Sequence, residues 1–366
     1  LLLEQHPSNS DCAWSSADRD RQDARLEKIP ALIGTVVASR GAEEIMTIVR
    51  AALLLGLLLL SLACSSKEKP EVIRLDYATY NPVALLLKEK GYLEQSLAEE
   101  GIKVEWVKSL GSNKALEFLN SKSVDFGSTA GAAALVAKAN NNPIQAVYVY
   151  SKPEWTALVT RPDTSIKTLA DLKGKKIAVT RGTDPFIFLL RALDSVGLTE
   201  KDVELVQLQH PDGQAALERG DVDAWAGLDP LMATSELKRG SVLFFRKPEW
   251  NTYGVLNVRE EFAKQYPAYV TRVIEAYEKA RADALASPEE LKAALIKEAK
   301  LDDDVAKAVL ARTDISSSAI GDVQKQAIAP AGDVLKKTGV IKAEIDVNGT
   351  VDALIQPSFT QALASK

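Results

Sequence analysis

The sequence predicts an α/β protein of two lobes, each a mostly parallel sheet flanked by helices, joined by two crossover strands. Three observations carry this. From Val72 onward, short apolar runs alternate with stretches of helical spacing, the pattern of a sheet with helices on its faces. Roughly 300 residues follow Cys64, more than one compact core usually holds, so a second lobe is expected. The tetrapeptide Lys-Pro-Glu-Trp also occurs twice, at 152–155 and 247–250, each time ahead of a β-rich run. That repetition frames the second half of the alternation as two equivalent crossings between lobes would.

The elements follow in chain order. Residues 1–45 begin at Leu1, and Ser8 to Arg25 is polar, charged and aperiodic. Such a segment has too little apolar surface to offset its ordering entropy, so 1–45 is read as a mis-assigned or disordered extension and Met46 as the start. In 46–64, Arg50 supplies a positive charge ahead of the apolar run Ala51 to Ala63, which then closes on Cys64, Ser65 and Ser66. The run is shorter than the ~20 residues a membrane-spanning helix needs and has the length of a signal-peptide core. It resembles a bacterial lipoprotein signal, which implies a lipid on Cys64 and a membrane anchor through it. Residues 65–71 are a polar tether.

Residues 72–160 are assigned to the first lobe. Strands are expected at Val72–Ala78, Lys103–Lys108 and Val124–Ser128, with helices at Pro82–Lys90, Asn113–Asn120 and Ala132–Asn140. Residues 161–250 are assigned to the second lobe. There a short helix at Leu169–Leu172 leads to strands Lys176–Thr180, Val203–Leu208 and Ala224–Gly227, interleaved with helices Pro185–Val196 and Gln214–Arg219. Residues 251–366 hold a crossover, Val255–Val258, and then helical spacing over Glu260–Ala286, Pro288–Lys300, Asp304–Arg312 and Val323–Lys337.

Composition removes several function classes. Net charge is -5 and the basic residues are dispersed, so no stripe exists to collect phosphates and nucleic acid is not an expected partner. The two cysteines are Cys12 and Cys64, which leaves the globular part without a disulfide or a cysteine metal site. The two histidines are His6 and His210, too few for a zinc site, and His210 beside Pro211 reads as a surface or cleft-edge residue on a loop. No catalytic residue, metal or cofactor is expected.

Three small-residue turns pass from a predicted strand into a helix: Ser109-Leu110-Gly111-Ser112-Asn113, Gly127-Ser128-Thr129-Ala130-Gly131 and Thr180-Arg181-Gly182-Thr183-Asp184-Pro185. A helix start leaves its first N–H groups unpaired and carries roughly half a positive charge. Serine or threonine there caps the helix or donates outward, and glycine lets an anion approach the backbone. Three in series form an anion clamp, or three ordinary caps. Tyr77, Tyr80, Trp155, Trp225 and Tyr253 lie near strand ends and supply apolar walls or core packing. Asp229 is a partner for a ligand ammonium or a helix cap ahead of Pro230.

A family resemblance rests on Tyr77 to Pro82, Val124 to Gly131, Leu169 to Val179, the turn and helix from Gly182, and Gly220 to Pro230, in that order. From Val72 to about Phe359 the chain resembles the periplasmic substrate-binding proteins of ABC importers, in the taurine, alkanesulfonate and nitrate group. The resemblance implies a type II periplasmic-binding-protein-like fold with the ligand enclosed between lobes, and C-terminal helices that return to the first lobe. It implies a small anionic ligand, a sulfonate, delivered to a permease and ATPase by a monomeric receptor. By position it carries over Asn81, Ser112, Ser128, Thr129, Gly182, Thr183, Trp225 and Asp229 as ligand-binding residues, to which the turn and aromatic readings add Tyr80, Gly131, Trp155 and Asp184. Nitrate or a thiamine-precursor pyrimidine are the alternative ligands. Pyrimidine-forming enzymes share the fold but carry a cysteine-rich motif and active-site histidines, which this chain lacks.

Overall fold

A computed structural model describes residues 69–364. The expectations for 1–45, for the signal-like run and for Cys64 lie outside the described residues.

Local chemistry sets the elements. The helix Pro82–Lys90 starts where Asn81 accepts a hydrogen bond from the Ala84 N–H (3.1 Å), with proline in its first turn. It stops at Gly91, whose φ of 63° places its N–H on the Leu87 carbonyl (3.1 Å). Two helical stretches expected as continuous are broken at proline, which has no N–H to continue the ladder. Glu260–Gln265 gives way to Pro267–Ala286, and Asp322–Ile328 to Ala331–Lys337 after Pro330.

The strands are β1 (Val72–Tyr77), β2 (Lys103–Lys108), β3 (Phe126–Ala130), β4 (Ile144–Pro153), β5 (Leu158–Thr160), β6 (Lys176–Val179), β7 (Glu204–Gln207), β8 (Ala224–Ala226), β9 (Val242–Phe245), β10 (Gly254–Arg259) and β11 (Thr313–Asp314). They form two sheets, ordered β11-β4-β10-β3-β1-β2 and β7-β6-β8-β5-β9. Both sheets are mixed rather than mostly parallel. β1 pairs parallel with β2 and β3, and β6 with β7 and β8. The strands beside the crossings run the other way: β10 is antiparallel to β3 and β4, and β5 is antiparallel to β8 and β9.

Leu158–Thr160 belong to the second sheet, so the first lobe ends before them and not at 160. Both Lys-Pro-Glu-Trp copies sit between the sheets. The first closes β4 and runs extended into β5; the second forms a short 3-10 helix, Pro248–Trp250, between β9 and β10. The crossings lie side by side. Arg246 forks onto Glu154 (2.7 and 2.8 Å), and the Thr156 N–H donates to Asn251 Oδ1 (2.9 Å).

The strand reading left β4 undefined because nearly every residue from Ile144 to Tyr150 is buried, so no polar–apolar alternation marks it. The short helix Tyr92–Leu97, the helix Leu231–Arg239 and β9 were likewise undefined. The long C-terminal helix Pro267–Ala286 packs on the first lobe, with Tyr277 against Tyr148 (ring centroids 5.4 Å apart). Later helices reach the second lobe as well. Lys238 binds Asp302 and Asp304 (2.8 Å each), and Lys337 pairs with Asp194.

Candidate functional site

Two of the three glycine turns meet each other across the gap between lobes. Gly182 has a φ of 80°, which glycine adopts without strain, and a β-carbon built on it would lie 3.4 Å from the Asn113 β-carbon. A β-carbon built on Gly111 would lie 3.2 Å from Cδ2 and 3.3 Å from Nε2 of His210. Three helices therefore begin around one gap: Ser112–Asn120 from the first lobe, Asp184–Ser195 and His210–Arg219 from the second. Each start leaves N–H donors without intrahelical partners and adds partial positive charge, so the gap suits an anion.

Beside it lies a cavity of about 260 Å³, walled by Tyr80, Lys108 and Leu110 of the first lobe and His210, Leu228 and Asp229 of the second. His210 stands at this cleft, as one of the two expected placements has it, but it is neither on a loop nor at the surface. It is the first residue of its helix and 1 % exposed, because Pro211 is accommodated in a first helical turn and does not force a loop. Burial pushes its imidazole down to about 3, so the ring is neutral. Neither ring nitrogen has a partner among the described residues.

Asp229 is also buried, and one carboxylate oxygen accepts from the Ala233 N–H (2.9 Å), the helix cap foreseen for it. The other has no hydrogen-bond partner among the described residues and lies 3.6 Å from Arg312 Nη1. Burial raises this carboxyl to about 7 against the opposing pull of Arg312.

Several expected ligand residues are committed elsewhere. Ser128 and Thr129 do not form a turn: β3 continues to Ala130 because β10 pairs with it, from Gly254 opposite Ala130 to Val258 opposite Phe126. Their side chains face inside the first lobe. Ser128 Oγ accepts from Asn81 Nδ2 (2.8 Å), and Thr129 Oγ1 accepts from Asn257 Nδ2 (2.8 Å). Asp76 anchors this network, accepting from the Ser128 N–H and from Ser109 Oγ (2.6 Å each), while the Tyr80 hydroxyl donates to the Ser128 carbonyl (3.0 Å). Ser112 Oγ accepts from the Ala130 N–H (3.0 Å), and Thr183 donates to the Thr180 carbonyl (2.6 Å).

Gly131 opens its helix toward the second crossing rather than the gap. Its N–H donates to the Tyr253 carbonyl (2.9 Å), and a β-carbon on it would lie 2.5 Å from Ile328 Cδ1. Asp184 joins the two crossings, accepting from Trp155 Nε1 (2.9 Å), Thr252 Oγ1 (2.9 Å) and the Thr252 N–H (3.2 Å). Trp155 stands edge-on to Tyr80, with centroids 5.9 Å apart. Trp225 is fully buried in the second lobe's core beside Gly213. Tyr80, Gly182 and Asp229 are thus brought to the gap and Ser112 to its rim, whereas Asn81, Ser128, Thr129, Gly131, Trp155, Thr183, Asp184 and Trp225 do not line this cavity. Asn113 and His210 are the gap residues outside the expected ligand set, His210 having been placed only at the cleft edge. Asn113 lies in the first of the small-residue turns, where its side chain carries no signal of its own.

The Ser128/Thr129 network predicts an inverted phenotype for the double alanine variant. Losing two buried acceptors leaves the Asn81 amide N–H unpaired and the Asn257 amide with the Gly127 carbonyl (3.2 Å) as its remaining strong acceptor, a cost of about 1–3 kcal/mol for each lost bond. Chemical denaturation should register that loss while ligand affinity stays close to wild type. A variant with normal stability and weakened binding would contradict the placement.

Asp76, Asp184 and Asp229 are raised to about 7, 6 and 7, in each case first by burial. The native state holds protons on them that the unfolded chain has released. Their contribution to stability is full below about pH 4, the unfolded value, and is lost as pH rises through 6–7. The melting temperature of ligand-free protein should therefore be higher near pH 5 than near pH 8, and Asp76→Asn should flatten the difference.

The profile of the NMT1/THI5-like family matches residues 83–291. The chain belongs to this family. A member from Bacillus subtilis (strain 168) named as an aliphatic sulfonates-binding protein is 31% identical over 274 residues, covering 73% of this chain and 82% of that one. A similarly named protein of Escherichia coli (strain K12) is 32% identical over 235 residues, covering 63% and 72%. Among solved structures, the periplasmic aliphatic sulphonate binding protein SsuA of Escherichia coli superposes with a TM-score of 0.67 at 26% identity, covering 79% of this chain and 93% of that one. The alkanesulfonate-binding protein SsuA of Xanthomonas axonopodis pv. citri, bound to MOPS, gives 0.71 at 24% identity over 79% and 99%, a likeness of fold. The two-lobed periplasmic-binding-protein fold is the fold of this family member too.

Proposed function

We propose that this chain is the substrate-binding receptor of an ABC importer and encloses a small sulfonate between its lobes without turning it over. The observation that carries the reading is the convergence of three helix starts from opposite lobes, at Gly111, Gly182 and His210, beside a cavity. A sulfonate has one charge and three oxygens that only accept, which suits several N–H donors and partial positive charge. Two relatives named for aliphatic sulfonates support that class over nitrate. Closure of the lobes on the ligand, driven by its higher affinity for the closed form, would present the complex to a permease and its ATPase.

Calorimetry with taurine, alkanesulfonates, nitrate and a thiamine-precursor pyrimidine tests the assignment, with chromatography of the recovered ligand to test for turnover. Tight binding of nitrate or pyrimidine with no sulfonate binding would sink it, and so would conversion of the ligand. The receptor is further proposed to act as a monomer in the periplasm or at the cell surface, held by a lipid on Cys64. Cys64→Ala should then move the protein from the membrane to the soluble fraction with ligand affinity unchanged. Wild-type protein found soluble after fractionation would leave plain export.

A further inference from the structure

His210 is a cleft residue whose two ring nitrogens are buried without a partner among the described residues. It is 1 % exposed, lines the cavity between the lobes, and faces Gly111 across the gap. Neither Nδ1 nor Nε2 has a hydrogen-bond partner among the described residues. A buried polar group left unpaired destabilises the fold, and an apolar side chain of similar size would avoid that cost. The charged groups on the same cavity are Lys108, which pairs with Glu298 (2.8 Å), Lys300 and Asp229. None of them sets the ionisation of His210, which is governed by burial alone. The ring is therefore a neutral imidazole with one N–H donor, placed at the start of a helix and opposite the start of another.

We propose that His210 contacts the ligand, its imidazole donating one ring N–H to an oxygen of a sulfonate held where the lobes meet. The proposal rests on the receptor reading above and adds to it a side-chain donor for one sulfonate oxygen. Glycine at 111 is part of the same design, because any larger residue would occupy the space beside the ring. The ligand's oxygen supplies a partner for the ring N–H that the described residues do not, so this hydrogen bond forms in the complex. A merely structural histidine would show the opposite pattern, with its loss felt in the ligand-free fold.

The test compares His210→Leu, which keeps bulk and removes the N–H, with His210→Gln, which keeps a donor. With ethanesulfonate as the probe, His210→Leu should weaken binding by roughly 10- to 100-fold, the scale for a hydrogen bond to a charged acceptor. Its ligand-free melting temperature should not fall, and His210→Gln should recover part of the affinity. Wild-type affinity in His210→Leu overturns the proposal and leaves the receptor reading standing. Absence of binding to ethanesulfonate, taurine and longer alkanesulfonates by the wild-type protein overturns both. Should His210→Leu fail to fold, nitrogen-15 spectra of the His6→Gln protein decide, since one imidazole then reports. Saturating ethanesulfonate should shift a His210 ring-nitrogen resonance while the ring stays neutral at pH 7; an unmoved spectrum overturns the proposal.

Discussion

Gly111→Val is expected to weaken sulfonate binding by roughly 10- to 100-fold while barely changing the melting temperature of ligand-free protein. Gly111 sits at φ 169° and ψ 166°, an extended conformation open to any residue, so valine brings no backbone strain. Its β-carbon would lie 3.2 Å from the His210 ring on the other lobe, and its methyl groups would press further into the gap. Within the first lobe the β-carbon would also lie 2.8 Å from Asn113 Oδ1, the end of a flexible side chain that can turn aside, so the lasting clash is with the His210 ring and falls on the closed form. An overpacking cost of about 1–3 kcal/mol in one of two states lowers apparent affinity by the corresponding factor. Calorimetry and thermal melts measure the two quantities together. Unaltered affinity would mean that ligand binding does not need this approach of the lobes.

Asp184→Ala should cost about 3 kcal/mol of stability, a severe effect for a helix-start residue. The carboxylate accepts three hydrogen bonds, from the Trp155 indole N–H and from the Thr252 hydroxyl and N–H. Removing it strands buried donors on both crossings, at about 1–3 kcal/mol each, offset in part by relief of the carboxylate's own burial cost. Thr252 Oγ1 also accepts from the Ala132 N–H (3.1 Å), so the loss spreads to the helix that begins at Gly131. Asp184→Asn, which retains an acceptor oxygen, should lose less. Urea unfolding of the two variants would decide, and equal stability of Asp184→Ala and wild type would exclude this role.

Pro82–Lys90 was legible to the residue, because a cap, a first-turn proline and a left-handed glycine are neighbours in sequence and act through local hydrogen bonds. The repeated tetrapeptide marked both crossings for the same reason: the chain must leave one sheet and enter another wherever the pattern restarts. The glycine turns were legible as helix starts, yet their partners were not. Gly111 and His210 are 99 positions apart in the chain (210 − 111), and only the folding of one lobe against the other makes them neighbours.

Local sequence pattern therefore sets the two-lobed α/β alternation and the helix starts that suit an anion. Tertiary structure decided which polar atoms face the gap and which are used up inside. Ser128 and Thr129 look like donors until β10 extends β3 by pairing, after which Asn81 and Asn257 claim their hydroxyls. His210 looks like a loop residue until its helix buries it with both nitrogens unpaired. The physical reason is the same in both cases. Secondary structure follows from bonds between near neighbours, whereas the satisfaction of a buried polar atom depends on strand register and lobe contacts set by residues far away in the chain.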